Sequence, residues 1–234
     1  MNKRYFKSDH HTYECQKTEH TCIDSIPLFQ SLSAEQKEKI HSLIQHKHYS
    51  RGETIYRPGE TADSLYVLKS GKIRVYRLSD SGKEQLIRIV TQGEFTGELA
   101  LFKKGIYEAF TEALTDCSIC AIKHADFREL LLQYPMMAVE MLATISNRLG
   151  ISEQQTAWAT TETVRDRLLH FLISLVDSKE IEPIIELKMA KKDLASYLGT
   201  TSESLSREFA RLEKEGLIEE IAYGKIKLLH FSSY

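Results

Sequence analysis

Between residues 189 and 220 the chain reads MAKKDLASYLGTTSESLSREFARLEKEGLIEE, two short amphipathic stretches on either side of one glycine. Asp193, Leu194, Tyr197 and Leu198 precede Gly199, and Leu205, Phe209 and Leu212 follow it at helical spacing. Gly199 admits the backbone conformation in which a helix stops. Thr201 or Ser202 can then cap a second helix, whose opening turns carry Glu203, Ser206 and Arg207. Short or forked polar side chains near a helix N-terminus are what entry into a DNA major groove requires. The stretch is expected to be a helix-turn-helix that reads DNA, with Thr201, Ser202, Glu203, Ser206 and Arg207 at the interface.

The 234 residues suffice for one large domain or two small ones. With 31 Lys and Arg against 33 Asp and Glu, a polycation coat is excluded and any basic surface must be local. The last third offers one at Lys188, Lys191, Lys192, Arg207, Arg211, Lys214, Lys225 and Lys227. No apolar run reaches the length of a membrane span, and the opening MNKRYFKSDHHTYEC lacks the apolar centre of a signal peptide. A cytoplasmic protein with no membrane partner is expected, its thiols available for metal or redox chemistry rather than structural disulfides.

Four parts follow one another, giving an α+β fold class: a Cys- and His-rich segment at 1–24, an antiparallel β-roll at 25–134, a long helix at 135–158 and a winged helix-turn-helix at 159–234. The roll begins with a helix at 34–44. Short strands are expected at 54–56, 64–68, 73–78, 85–90, 107–113 and 117–123, too brief and too often broken by glycine for a parallel sheet. In the long helix Met137, Met141, Leu142, Ile145, Leu149 and Ser152 form one stripe. Met141, Ile145, Leu149 and Ser152 advance by fours and threes, as a short coiled-coil seam does. Such a stripe can pack on its own domain. A symmetric homodimer seam is the favoured reading, because two reader helices on a palindromic operator supply the affinity that one lacks. Near the C-terminus a hairpin about Tyr223 and Gly224 forms the wing, placing Lys225 and Lys227 near phosphates.

RGETIYRPGETADSLYVLKSGKIRVY at 51–76, GEFTGELALF at 93–102 and TSESLSREFARLEKEGLI at 201–218 together resemble the Crp/Fnr family of bacterial transcription regulators, from about Cys22 onward. The resemblance implies a β-roll sensor of the cyclic-nucleotide-binding type, a dimerisation helix, double-stranded DNA as partner and a roll free to contact RNA polymerase. Glu203, Ser206 and Arg207 match the E-x-x-S-R reader pattern of the oxygen-responsive branch, whose serine helps select a TTGAT-type half-site. Chemically, Glu203 can accept from cytosine N4, Arg207 can fork to guanine, and Ser206 is short enough to bring the helix near a thymine methyl. The family's pocket glycine and glutamate correspond to Gly97 and Glu98. Its phosphate-holding arginine and serine fall on Glu108 and Ala109, so a carboxylate stands where a phosphate would need neutralising. Cyclic AMP is therefore disfavoured as the signal.

The four cysteines are Cys15, Cys22, Cys117 and Cys120. The run FTEALTDCSICAI resembles the family segment that holds the central ligand of a [4Fe–4S] cluster, at Cys120, and Cys22 before IDSIPLF matches the last N-terminal ligand. The tight C-x-x-C pair of that branch is absent, and Cys117 is an extra thiol. Thiolates alone suit an iron–sulfur cluster, whereas thiolates joined by His20 or His11 suit tetrahedral zinc. In a regular strand residues 117 and 120 point to opposite faces, which opposes a shared metal. A reversible disulfide and inert cysteines are the other two readings. His41, His46 and His48 read as solvated surface. No catalytic triad, P-loop or dinucleotide loop is present, so no enzyme is expected.

Overall fold

The computed structural model describes residue 23 and residues 26–102, 105–176 and 182–229. These divide into two compact units. One comprises the described residues up to Tyr76 with Val90–Ile145, the other Arg77–Ile89 with the described residues from Ser146 onward.

Among the described residues the first unit begins with a 3-10 turn at Pro27–Phe29 after Ile23 and Ile26, followed by helix α1, Ala34–His41, started by a capping box in which Ser33 and Gln36 satisfy each other's main-chain N–H. The expected helix at 34–44 thus stops early. Residues Ile44–Tyr49 instead form strand β1, which lies antiparallel along β8, Cys117–Lys123. The others are β2 (Thr54–Tyr56), β3 (Ser64–Ser70), β4 (Ile73–Leu78), β5 (Glu84–Val90), β6 (Phe95–Thr96) and β7 (Phe110–Ala113). The strand orders are β1-β8-β3-β6 and β2-β7-β4, the latter followed by β5, nearly all of which is counted with the second unit. The strand expected at 107–113 begins only at Phe110.

β8 is buried on both faces, which is why its sequence is an almost unbroken apolar run. Cys117, Ile119 and Ala121 point into a core with Tyr49, Tyr56, Tyr66, Leu68 and Tyr107. Cys120 and Ile122 point the other way, into a core with Ile23, Phe29, Ile40, Val67 and Phe127. Helix α2 (Glu98–Phe102), helix α3 (His124–Gln133) and the start of helix α4 (Pro135–Thr161) complete this unit. At 27 residues α4 is roughly 40 Å long and outlasts the expected end at 158.

In the second unit a capping box starts helix α5, Val164–Ser174, with Thr163 N–H donating to Asp166 Oδ2 at 3.2 Å and Asp166 N–H to Thr163 Oγ1 at 3.3 Å. Helix α6 (Lys191–Tyr197) stops at Gly199, whose φ of +67° only glycine adopts readily, and Thr200 N–H donates back to Ala195 O at 2.9 Å. Helix α7 covers Ser202–Lys214. Strands β9 (Ile184–Glu186), β10 (Ile218–Ala222) and β11 (Lys225–Leu228) form a sheet in the order β10-β11-β9. Leu168, Leu172, Leu194, Leu205, Phe209, Leu212 and Ile226 make the core, each fully buried large apolar side chain contributing about 1.5–3 kcal/mol. In the same unit Ser196 Oγ accepts from Leu86 N–H at 2.7 Å and donates to Glu84 O at 2.9 Å.

Candidate nucleic-acid interface and sensor cysteines

Three residues of α7, Leu205, Phe209 and Leu212, face inward and hold the helix to its unit, so the opposite face is fixed toward solvent. Thr201 is the N-cap, and its Oγ1 accepts from Ser204 N–H at 3.2 Å. Ser202, Glu203, Ser206 and Arg207 are exposed on the first two turns. The structure thus brings the expected reader residues to one free helix face and gives Thr201 a capping task besides.

The basic residues around this face are unequal. Lys227 Nζ is 2.5 Å from Glu182 Oε2, and that hydrogen bond raises its pKa. Lys191 Nζ is 2.6 Å from Glu220 Oε2 and sits over the Phe209 ring. Arg165 and Arg211 both bond Glu215, whose carboxyl the Arg165 hydrogen bond holds below its ordinary value. Lys225 is exposed beside Tyr223, which is 90% exposed at the wing tip. Lys225 is therefore the better placed of the two expected phosphate contacts. Tyr223, expected at the turn of the wing, presents its ring to solvent there.

The helix stripe separates into two faces. Met137 and Met141 are buried in the core of the first unit with Ile145 packed against them, so Met141 is not an outward seam residue. Leu149 and Ser152 do face solvent, and the exposed apolar residues are Met136, Val139, Leu142, Leu149 and Ile151. Val139, Leu142 and Leu149 are three and seven residues apart, intervals that a heptad seam contains. Where α3 meets α4, Leu131, Leu132, Met141, Leu142 and Ile145 line an apolar groove of about 380 Å³.

Inside the roll three tyrosines occupy the space between the sheets. The rings of Tyr56 and Tyr107 stack with centroids 3.9 Å apart, and Tyr66 lies 5.7 Å from Tyr56. Tyr56 Oη pairs with Thr96 Oγ1 at 2.6 Å, and Tyr107 O–H donates to Ser64 O at 3.1 Å. Burial pushes the Tyr107 phenol up to about 12. Gly97 has φ +92°, and a Cβ there would stand 2.8 Å from Ser64 O and 3.6 Å from both Tyr66 and Tyr107. The glycine is demanded by this packing. Glu108 is exposed beyond the cluster, and Glu98 is buried at the start of α2.

Cys117 and Cys120 are both buried and neither forms a disulfide. They serve different cores, so they are not brought to one metal, as their odd spacing requires. Burial pushes the Cys117 thiol up, although it donates to Lys72 O at 3.2 Å. Cys117 is a poor thiolate.

Cys120 has a different neighbour. It lies directly opposite His46 in the β1–β8 ladder, and its Sγ is 3.9 Å from His46 Nδ1. His46 is only 9% exposed, which corrects its expected place on the solvated surface. It points the same way as Cys120, beneath α1, where the His41 ring is 5.8 Å away. The buried Nε2 of His46 has no hydrogen-bond partner, a cost of about 1–3 kcal/mol in an apolar setting. The donors at this face are a thiol and an imidazole. Among the described residues this face offers one thiol, where an all-thiolate cluster cradle needs several. Cys15 and Cys22 lie outside the described residues, as do His11 and His20, and among the described residues no group of three Cys, His, Asp or Glu is arranged to hold a metal.

A roll of two antiparallel sheets, a long helix and a winged helix-turn-helix, in that order, define a transcription regulator that binds DNA rather than an enzyme. Residues 46–134 match the cyclic nucleotide-binding domain and residues 166–232 the Crp-like helix-turn-helix domain. The probable transcriptional regulator flp of Lacticaseibacillus casei is 34% identical over 200 residues, 86% of this chain and 90% of that one. The cyclic AMP receptor protein of Thermus thermophilus is 28% identical over 213 residues, 85% of this chain and 97% of that one. Among solved structures, a CooA mutant from Carboxydothermus hydrogenoformans superposes with a TM-score of 0.73 at 22% identity, covering 88% of this chain and 91% of that one. The chain belongs to the Crp/Fnr family of DNA-binding transcription regulators. No described helix is long and apolar enough to cross a membrane.

Proposed function

We propose that two copies of this chain pair through the exposed face of α4 and read an inverted repeat of TTGAT-type half-sites with Glu203, Ser206 and Arg207. The observation that carries this reading is the free polar face of α7, anchored from behind by Leu205, Phe209 and Leu212. Glu203 accepts from cytosine, Arg207 forks to guanine, Ser206 allows close approach, and Thr201, Ser202 and Lys225 hold the backbone. Val139, Leu142 and Leu149, continued by the groove between α3 and α4, form the surface a second copy covers. The C-terminal position of the reader in the sequence leaves the roll free to contact RNA polymerase.

Signal input runs through cysteine chemistry at Cys120, with Cys15 and Cys22 as its partners, in answer to oxygen, redox state or metal supply. The tyrosine-filled roll and the exposed Glu108 support a signal other than a cyclic nucleotide. A change at Cys120 acts on DNA binding only if it stabilises one arrangement of the reader helices over another. The burial of both described cysteines favours a second reading, in which the thiols are inert and the regulator is constitutive or answers a small molecule.

Gel-shift titration of the purified protein on the inverted repeat, with and without oxidant or chelator, separates the two. A cysteine sensor changes its affinity with treatment and loses that response on Cys120→Ser. An inert roll binds equally well in every condition.

A further inference from the structure

We propose that Arg167 of α5 is a backbone clamp, whose guanidinium grips a DNA phosphate beside the turn between α6 and α7. This rests on α7 entering the major groove and adds a contact from a helix outside the helix-turn-helix pair.

A Cβ at Gly199 would stand 3.8 Å from Arg167 Nη1, so the end of this side chain lies against the turn. Thr201, the N-cap of α7, follows two residues later. Leu168, next to Arg167, is fully buried in one core with Leu205, Phe209 and Leu212, which seats α5 against the back of the reader helix. Ser204 N–H is used by Thr201 Oγ1, but among the described residues the Ser202 and Glu203 N–H groups have no partner. A 13-residue helix also brings the positive end of its dipole to this place. Arg167 and the start of α7 thus present donors on the same side of the turn.

Charge sets this arginine apart from its neighbours. Arg165, two residues earlier, and Arg211 are held by Glu215, Lys191 by Glu220 and Lys227 by Glu182. Arg167 has no ion pair among the described residues, and its Nε is buried without a hydrogen-bond partner. The free protein therefore carries an unmet donor that an anion would satisfy. Half-buried on a packed helix, the side chain has little freedom left to lose, and its fork matches two oxygens of one phosphate. Base edges lie on the groove floor that α7 occupies, whereas phosphates line the rim. Arg167 adds affinity without selecting sequence.

Salt dependence tests this on the full-length chain. Each phosphate neutralised contributes about 0.9 to the slope of log K against log salt. Arg167→Gln should lower the slope by about 0.9 and weaken binding about fivefold at physiological salt, equally on the inverted repeat and on an unrelated duplex. Arg167→Lys keeps the charge and should restore most of the slope, which bracing of the turn by the guanidinium fork would not allow. Phenylglyoxal labelling of the wild type needs no variant to fold: Arg167 should be modified in the free chain and spared on the repeat. Four results overturn the proposal: a wild-type slope in Arg167→Gln, a loss confined to the repeat, no recovery in Arg167→Lys, or labelling of Arg167 that DNA does not alter. The reader assignment fails on a different result, a wild type that binds the repeat and the unrelated duplex alike.

Discussion

Arg207 folds back on Glu203 one helical turn earlier, with Nη2 3.9 Å from Glu203 Oε2 and Nε donating to the Glu203 main-chain O at 3.4 Å. Both side chains are exposed, so water screens the pair and it holds the guanidinium only loosely. Moving Arg207 onto a guanine edge therefore costs little. Arg207→Ala and Glu203→Ala should each weaken binding to the inverted repeat by about 1–3 kcal/mol, with an unchanged unfolding midpoint. Fluorescence anisotropy on labelled duplex gives the affinities, and wild-type values in both variants would remove these residues from the interface.

Gly97 should prove a packing residue. Its positive φ and the 2.8 Å approach of a Cβ to Ser64 O predict that Gly97→Ala destabilises the roll by about 1–3 kcal/mol. Denaturant unfolding measures this. An unaltered midpoint would mean that the tyrosine cluster tolerates the methyl group.

On α4 the two faces should answer differently. Leu142→Glu and Leu149→Glu place charge on exposed apolar positions and should turn a sedimenting dimer into a monomer, with little change in unfolding midpoint. Met141→Ala instead empties part of the core and should cost about 2–5 kcal/mol of stability. Loss of association from Met141→Ala alone, with Leu142→Glu still dimeric, would reverse the assignment of the faces.

The reader helix was legible because everything that shapes it is local: Thr201 caps it, Gly199 ends the helix before it, and Leu205, Phe209 and Leu212 recur at its period. β8 was legible for the same reason, and its odd spacing already set Cys117 and Cys120 apart. What lay hidden depends on register between distant segments. Nothing in IQHKHY says that His46 will face Cys120 across a ladder 74 residues away in sequence. Tyr56, Tyr66 and Tyr107 likewise meet only once the two sheets close. The stripe on α4 misled because Met141 and Leu142 are adjacent, and only packing against α3 and the roll shows which of them turns inward.

Alkaline pH should unfold the roll before it ionises the cluster. Burial raises the Tyr107 pKa from 10.0 to about 12, so the folded state binds this proton more tightly than the unfolded chain. Its contribution is complete below pH 10.0 and is lost as pH rises through about 12. Tyrosinate absorbance followed with circular dichroism should show exposed tyrosines titrating first and a second group appearing together with loss of structure. Simultaneous titration of all tyrosines on a folded chain would contradict the buried stack.

Paired reading of DNA is tested best by the stoichiometry and footprint of the chain on one TTGAT-type inverted repeat beside a single half-site. Two chains per duplex, protection of both half-sites about one helical turn apart, and much weaker binding to the lone half-site are expected. One chain per duplex, with equal affinity for the half-site and the repeat, would contradict it.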